Sequence, residues 1–537
     1  MKRAGDWEGR LRNASKRQAT GASKRSAVEV AAPLPPPKTT ARKSVREAQN
    51  GASVNEVSEA ATEPSQDIFE STVSKTVDSD EVLTELSGAI IEPRGSSSPS
   101  PLPSSSSIAS FTSTPSVTEN QIRYYRLRAN HLVNSDLRGP AGLSTIAAAL
   151  FGIQAQEPVS AFASCWQRMW GGARVHDDGA KQQADPTKKK SSGDDEQHRI
   201  TLSQLSTWFL SSTGLIRIWG QRATLHMYDR NDWPLICSAV GDFVTAGRVA
   251  SVKAGRVTGK DAAAELARAR DTFRGVLASG QTVSATDIAA LGFNPKLTYS
   301  ILMCATVAGQ GGRIDVGGIG TASVLAPRSV IAPEAECPWR EVDKADALVE
   351  AARRFFKTYG PALETDFRYF MTLTAGPSRQ AVETLIASRE LTAVTISTRP
   401  SPTKLKKKPD IYYISTAALP TLLAPIPPLT QWPVRLLYRF DPLLLAHADK
   451  SFWIPAHHKS KVWTPNGIIL PTVLVEGRVT ATWKFSKEKD ETTRFVVSRL
   501  PEEEEYGSDT KRELERQGRG FAEFMGLKFG DIAFNKH

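Results

Sequence analysis

The chain has 537 residues and a formal net charge of +11, with 40% hydrophobic and 23% charged residues. This length allows three or four compact units, and the absence of a long apolar run predicts that no helix spans a membrane. The four cysteines form no Cys-x-x-Cys pair, which argues against a zinc ribbon or a disulfide framework. We therefore expect a reducing, intracellular protein with no metal and no other cofactor.

Residues 1–118 are rich in Ser, Pro, Thr and Ala and poor in aromatic residues, which predicts a disordered tail. Basic side chains dominate the beginning of this tail and acidic ones dominate the remainder. Two basic pairs, Lys16-Arg17 and Lys24-Arg25, resemble a nuclear import signal, although a solvated basic tail explains them equally well. The expected location is therefore the nucleus, or otherwise the cytoplasm.

After the tail, one order of elements occurs three times: helix, turn, helix, turn, helix and hairpin. The third copy is the clearest, since the turn tripeptides Tyr-Gly-Pro and Ala-Gly-Pro separate its helices. This order, with a basic hairpin tip, is typical of a winged helix. We predict winged-helix repeats at residues 119–245, 246–335 and 336–432, the first with a disordered insertion at 171–199.

Residues 433–537 hold several strands followed by a charged helix, which predicts a small β-barrel or sheet. The expected fold class is α+β, with three tandem winged-helix repeats plus a C-terminal β-rich, barrel-like domain. The excess of positive charge lies in these folded regions, because the tail holds equal numbers of basic and acidic residues. A basic folded region favours nucleic acid through counterion release, although many winged helices bind proteins.

Four sequence blocks occur in the order seen in one known family. They are GIQAQEP at 152–158, RIWGQRATLH at 217–226, FFKTYGPALETDF at 355–367, and YRFDPLLLAHADKS with VLVEGRVTATWK near the C-terminus. Together they resemble the AlkZ-like winged-helix proteins, which include bacterial DNA glycosylases with a Gln-x-Gln or Gln-x-Asp segment. The resemblance implies hydrolysis of the N-glycosidic bond of an alkylated base, with double-stranded DNA containing such bases as the partner.

The Gln-x-Gln segment is Gln154-Ala155-Gln156, the predicted active centre. Pro158 biases Glu157 toward extended geometry, and in an extended segment the side chains of Gln154 and Gln156 point the same way. Glutamine does not titrate near neutral pH, but it can hold a water molecule by hydrogen bonds. That suffices for an N7- or N3-alkylated purine, whose cationic base leaves without protonation. The alternative is that the two glutamines cap a helix or bridge two repeats.

Further candidate residues lie in the other blocks. Arg217, Arg222 and His226 are on a predicted hairpin and are expected to line the site or contact phosphates. Ala223 stands where the family usually has glycine, which puts the local turn in question. Asp441 is interpreted as a turn or cap residue, with a site-lining role as the alternative.

Lysines at the tip of the third wing are expected to contact phosphates, with a merely solvated loop as the alternative. These lysines are Lys404, Lys406, Lys407 and Lys408. The adjacent His457 and His458 are interpreted as part of a solvated loop rather than as a metal site.

The sequence thus predicts a monomeric, metal-independent and monofunctional DNA repair glycosylase that acts on alkylated bases, including bulky or crosslinked ones. No lysine lies within the Gln-Ala-Gln segment, so a Schiff-base lyase step is not expected. The first alternative is a non-catalytic DNA-binding or regulatory protein, favoured by the long tail, the insertion and the alanine at position 223. A protein-binding winged-helix scaffold is the second alternative.

Overall fold

The computed structural model describes residues 114–133, 135–169, 200–211, 214–253, 262–315, 323–397, 410–464 and 467–536. Every described residue belongs to one compact unit of the chain. Most of the predicted tail, the insertion at 171–199 and the four lysines of the third wing tip lie outside the described residues. Within the described ranges, the helices lack the combination of length and apolar character that crossing a membrane requires.

The first segment combines helices with a three-stranded sheet of order β2-β4-β3. Its first helix begins at a capping box, in which Thr118 accepts a hydrogen bond from the Gln121 backbone and the Gln121 side chain accepts one from the Thr118 backbone. The elements are β1 (Ser116–Val117), α1 (Glu119–Ala129), α2 (Gly139–Leu150), β2 (Ile153–Gln154), α3 (Pro158–Met169), α4 (Leu202–Ser211), β3 (Leu215–Trp219) and β4 (Leu225–Asp229).

The second segment follows a long helix, α5 (Trp233–Lys253), which runs across the predicted boundary between residues 245 and 246. Its capping box at Ser284 and Asp287 starts a short middle helix. The elements are α6 (Ala262–Ala278), α7 (Ala285–Ala290), α8 (Thr298–Val307), β5 (Gly311–Asp315), β6 (Ser323–Pro327) and α9 (Arg328–Ile331).

The third segment has the same order, three helices and then an antiparallel strand pair. Asp343 caps its first helix by accepting a hydrogen bond from the Ala345 backbone at 2.7 Å. The elements are α10 (Lys344–Thr358), α11 (Glu364–Met371), α12 (Ala375–Ala387), β7 (Leu391–Ile396) and β8 (Tyr412–Ser415). Strand β1 pairs in parallel with β7, so the short strand just before Glu119 joins the two ends of the three-segment region.

The C-terminal region is an open five-stranded sheet of order β13-β12-β11-β10-β9, so of the two expected forms, a small barrel or a sheet, the described strands form the sheet. Helix α16 contacts both edge strands, β9 and β13, and packs Phe521 on Trp483 with ring centroids 5.1 Å apart. Helix α16 thus covers the face of the sheet that would lie inside a closed barrel. The elements are α13 (Leu419–Leu423), β9 (Arg435–Leu437), α14 (Pro442–Leu445), α15 (Lys459–Val462), β10 (Thr472–Val475), β11 (Arg478–Lys487), β12 (Thr492–Arg499), α16 (Ser508–Phe524) and β13 (Lys528–Lys536).

The α+β class is confirmed. The order of three helices and a strand pair in the second and third segments agrees with a winged helix. The first segment has four helices and a three-stranded sheet, and the assignment of three winged-helix repeats stays a prediction. Strand β13 was not predicted, because the charged helix was expected to be the last element.

A buried ion pair joins the first segment to the C-terminal region. Arg168, at the end of α3, donates from Nη1 and Nη2 to the two carboxylate oxygens of Asp441 at 2.8 and 2.9 Å. Both side chains are fully buried. Asp441 also caps α14 by accepting a hydrogen bond from the Leu443 backbone at 3.0 Å, which confirms its predicted role as a cap.

We predict that Asp441→Asn lowers the free energy of unfolding by about 3 kcal/mol or more, because it leaves the Arg168 guanidinium buried without a counter-charge. Equilibrium denaturation by urea measures this change. Asp531→Asn, which breaks the exposed ion pair with Arg494, is the matched control and should change stability far less. A loss under about 1 kcal/mol for Asp441→Asn would mean that the buried pair does not hold the two regions together.

Candidate active site

The Gln154-Ala155-Gln156 segment follows a sharp end of helix α2. Phe151 and Gly152 both have positive φ, 50° and 100°. A Cβ at Gly152 would lie 2.4 Å from Cε1 of Tyr228, so only glycine fits this approach. The chain then enters β2, and the Ala155 backbone continues the ladder by donating to the Leu225 carbonyl at 2.7 Å. The segment is therefore extended at Gln154 and Ala155, as predicted, and bends before α3 starts at Pro158.

The two glutamine side chains are in contact. Gln154 Nε2 donates to Gln156 Oε1 at 3.2 Å. Gln154 is 4% exposed, whereas Gln156 is only partly buried. The extended backbone thus brings both amides to one place, with Gln156 the more accessible of the two.

Strand β4 supplies the next part of the site, because Gln154 pairs with His226 across the β2–β4 ladder. Nη2 of Arg222 lies 3.4 Å from Gln154 Oε1 and 3.1 Å from His226 Nε2. Arg222 is itself held by the third segment: its backbone N–H donates to Thr372 Oγ1 at 2.8 Å, and Nη1 donates to the Phe370 carbonyl at 3.3 Å. Two of the predicted site residues, Arg222 and His226, therefore surround the glutamine pair.

Hydrogen bonding fixes the orientation of these groups. The Thr224 carbonyl lies 2.9 Å from His226 Nδ1 and can only accept, so Nδ1 carries the proton and Nε2 accepts from Arg222. Burial, together with the charge of Arg222, holds the pKa of His226 well below its usual value. Because Arg222 can only donate, the Gln154 carbonyl oxygen must face it, and the Gln154 NH₂ group must face Gln156.

Arg217 has an internal role rather than the expected contact with phosphates. It is 7% exposed, its Nε donates to the Ala155 carbonyl at 2.9 Å, and its Nη1 lies 2.8 Å from a carboxylate oxygen of Asp315. It therefore clamps the backbone between the two glutamines to the end of strand β5. Asp315 was not identified from the sequence, because no local motif marks this carboxylate as the partner of an arginine in another segment.

Asp441 is fully buried and has no accessible surface at the site. Its carboxylate accepts hydrogen bonds from Arg168 and from the backbone at the start of α14. Glu157, which directly follows Gln156, lies 3.2 Å from Arg439 Nη1 and accepts a hydrogen bond from Ser160 Oγ at 3.1 Å. Among the described residues around the glutamines, no group of histidine, cysteine and carboxylate side chains meets the geometry of a metal site.

The alanine at position 223 falls in a left-handed turn. Arg222 and Ala223 have φ values of 56° and 52°, a region that costs an L-residue about 1–2 kcal/mol. The glycine that the related proteins usually have at position 223 adopts this conformation without that cost. The chain forms the turn despite the alanine, and Arg222 still reaches Gln154.

We predict that lowering the pH from 7.5 to 5.5 destabilises the fold through its buried histidines. His226 and His447 have pKa values held well below 6.5 by burial, whereas in the unfolded chain they titrate near 6.5. Below pH 6.5 the unfolded state therefore binds protons that the folded state does not. Each histidine then costs up to about 1.4 kcal/mol per pH unit.

Urea denaturation at several pH values tests this. His226→Asn should reduce the pH dependence, and His447 should account for the part that remains. An equal pH dependence in wild type and His226→Asn would show that His226 takes up its proton without unfolding.

Comparisons with known proteins agree with this architecture. A family model described as DNA glycosylase AlkZ-like matches residues 199–524, more than half of the chain. The solved structure of Streptomyces sahachiroi DNA glycosylase AlkZ is similar, with a TM-score of 0.57 and 18% sequence identity. The similarity covers 78% of this chain and 100% of that one, and at this identity it establishes the fold. No curated protein matches the sequence.

The family match includes the hairpin with Arg217, Arg222 and His226 and begins after the Gln-Ala-Gln segment. Helix-and-sheet architecture, family match and fold similarity agree with one another. The chain belongs to the AlkZ-like DNA glycosylase family and is a DNA repair glycosylase, a hydrolase of N-glycosyl bonds.

Proposed function

We propose that the chain removes alkylated bases from double-stranded DNA as a monofunctional glycosylase, with Gln154 and Gln156 as its catalytic pair. The observation that carries this proposal is the continuous contact from Arg222 to Gln154 and from Gln154 to Gln156. These contacts orient the Gln154 amide and bring it to Gln156, the more accessible amide, and such an oriented pair can hold one water molecule.

The roles of the two glutamines differ. Gln154 is nearly inaccessible, and both of its amide atoms are engaged, the oxygen by Arg222 and the nitrogen by Gln156. It is therefore a positioning residue. The oxygen of Gln156 accepts a hydrogen bond from Gln154. Gln156 is the more accessible of the two amides, and in this proposal its side chain orients the attacking water.

The reaction requires little acid–base catalysis from the enzyme. The water oxygen forms a bond to C1′ while the C1′–N bond breaks, and the electron pair of that bond neutralises the cationic alkylated base. The proton lost by the water passes to solvent, because a glutamine amide does not take it up. What the protein supplies is orientation of the water and dipoles suited to a positively charged sugar.

The substrate class follows from the same site. An amide pair suits N7- or N3-alkylated purines, which leave unaided, and bulky or crosslinked adducts are included if the base is not fully flipped. Three winged helices on one basic chain would bind the duplex, with Lys404, Lys406, Lys407 and Lys408 on phosphates. We further propose that the chain acts as a monomer, that it needs no metal for this reaction, and that its location is nuclear.

We predict that Gln156→Ala lowers the single-turnover rate of N7-methylguanine release by about 10²–10³-fold, the usual effect of removing one positioned polar group. Gln154→Ala should also lower the rate, because it leaves Gln156 unoriented. DNA affinity should change little in both variants, since neither amide contacts phosphates in this proposal. Release of the base from methylated duplex DNA measures the rate, and electrophoretic mobility shift measures the affinity.

Gln204→Ala is the matched control, because the side chain of this exposed glutamine accepts a hydrogen bond from the Thr201 backbone at the start of helix α4 and should leave the rate unchanged. Wild-type release of bases with no loss in Gln156→Ala would refute the catalytic pair. Binding of DNA without release from methylated or crosslinked duplexes would favour a non-catalytic regulator. Absence of DNA binding even at low salt would favour a protein-binding scaffold.

We also predict that Asp315→Ala lowers the maximal single-turnover rate by about tenfold while leaving the DNA concentration for half-maximal rate unchanged, because the Arg217 clamp on Ala155 loosens. The rate measured against DNA concentration tests this. Glu336→Ala, which breaks the more exposed pair with Arg230, is the control. A change in DNA affinity with an unchanged maximal rate would show that Asp315 serves binding instead of the geometry of the glutamines.

A further inference from the structure

Two histidines and two glutamates converge in the C-terminal region, and none of their contacts involves the glutamine pair. His457 and His458 end a short 3-10 helix, and their ring centroids lie 4.0 Å apart. His457 Nε2 lies 3.6 Å from a carboxylate oxygen of Glu502. His458 Nε2 lies 4.0 Å from a carboxylate oxygen of Glu503. The four side chains come from two segments that are distant in sequence.

The sequence alone favoured a solvated loop for the histidine pair, because no other ligand residue lies nearby along the chain. The structure changes that interpretation by bringing the turn after β12 to the histidines. Glu502 has a φ of 68°, a region that non-glycine residues adopt only rarely. A glutamate at this position keeps a carboxylate directed at His457.

The spacing suits a small divalent ion. One ligand atom from each of His457, His458 and Glu502 lies within 4.8 Å of the others. Around tetrahedral zinc, with bonds of about 2.0–2.1 Å, ligand atoms are about 3.3 Å apart. The side chains of His457 and Glu502 are 60% and 80% exposed and have room to rotate, whereas His458 is 4% exposed and fixed. A modest rotation of the two exposed side chains therefore reaches zinc geometry.

The ligand types select among metals. Two imidazole nitrogens with a carboxylate oxygen suit zinc and the neighbouring first-row metals. Magnesium and calcium prefer ligand sets made only of oxygen.

We propose that His457, His458 and Glu502 form a zinc site that joins the 3-10 helix Ala456–His458 to the turn after strand β12, with a water molecule in the fourth position. The ion has a structural role there. It ties the segment that follows α14 to the turn that leads into helix α16.

The experiment uses the full-length, untagged chain, stripped with EDTA and dialysed. Isothermal titration with ZnCl₂ gives stoichiometry and affinity, and titration with CoCl₂ gives the visible absorption of four-coordinate cobalt. The variants are His457→Ala and Glu502→Gln, which change exposed side chains and so spare the fold. Glu504→Gln, an exposed glutamate of the same acidic run, is the control.

We expect one equivalent of zinc in the wild type, the same in the control, and binding at least about tenfold weaker in both ligand variants. The wild type, but not the His457→Ala chain, should also gain thermal stability on addition of zinc. Absence of zinc binding by the wild type would overturn the proposal. Binding of equal affinity in the wild type and both ligand variants would overturn it as well.

Discussion

The cross-strand pairing of Gln154 with His226 is the constraint on which the candidate site depends. It joins two distant sequence blocks in one sheet and places the Arg222 guanidinium between a glutamine oxygen and an imidazole nitrogen. Because His226 is buried and neutral, it accepts from Arg222 and does not compete with it for the Gln154 oxygen. The orientation of the Gln154 amide, and through it that of Gln156, follows from this one arrangement.

The segment between the glutamines is fixed from both sides. The Arg217 clamp holds the Ala155 carbonyl and ties it to the second segment through Asp315. Helix α3, which begins directly after the glutamines, is anchored at its far end by the buried pair of Arg168 and Asp441. Contacts with the second segment and with the C-terminal region therefore limit the movement of the short linker that holds the two glutamines. Such rigidity is what positioning a water molecule demands, since small displacements of a positioned group are costly for the rate.

Local features of the sequence predicted part of the backbone geometry at the candidate site. Pro158 and the alternation of Gln154 with Gln156 indicated an extended segment, and the Asp-Pro pair at Asp441 indicated a helix cap. The burial of Arg217 and its pairing with Asp315 were not predictable, because they depend on how separate segments pack. The pairing of β1 with β7, strand β13 and the approach of two glutamates to the histidine pair were not predictable for the same reason. Periodicity reports which face of an element is apolar, and it carries no information on which distant element covers that face.

The most direct test of the proposed catalytic pair is a crystal structure of the chain bound to duplex DNA that carries a cationic pyrrolidine in place of one sugar, a mimic of the charged intermediate. The account predicts that the pyrrolidine lies beside Gln154 and Gln156, with a water molecule within about 3 Å of the Gln156 oxygen and next to the carbon that represents C1′. A mimic bound at another face of the protein, with both amides away from the sugar, would contradict it.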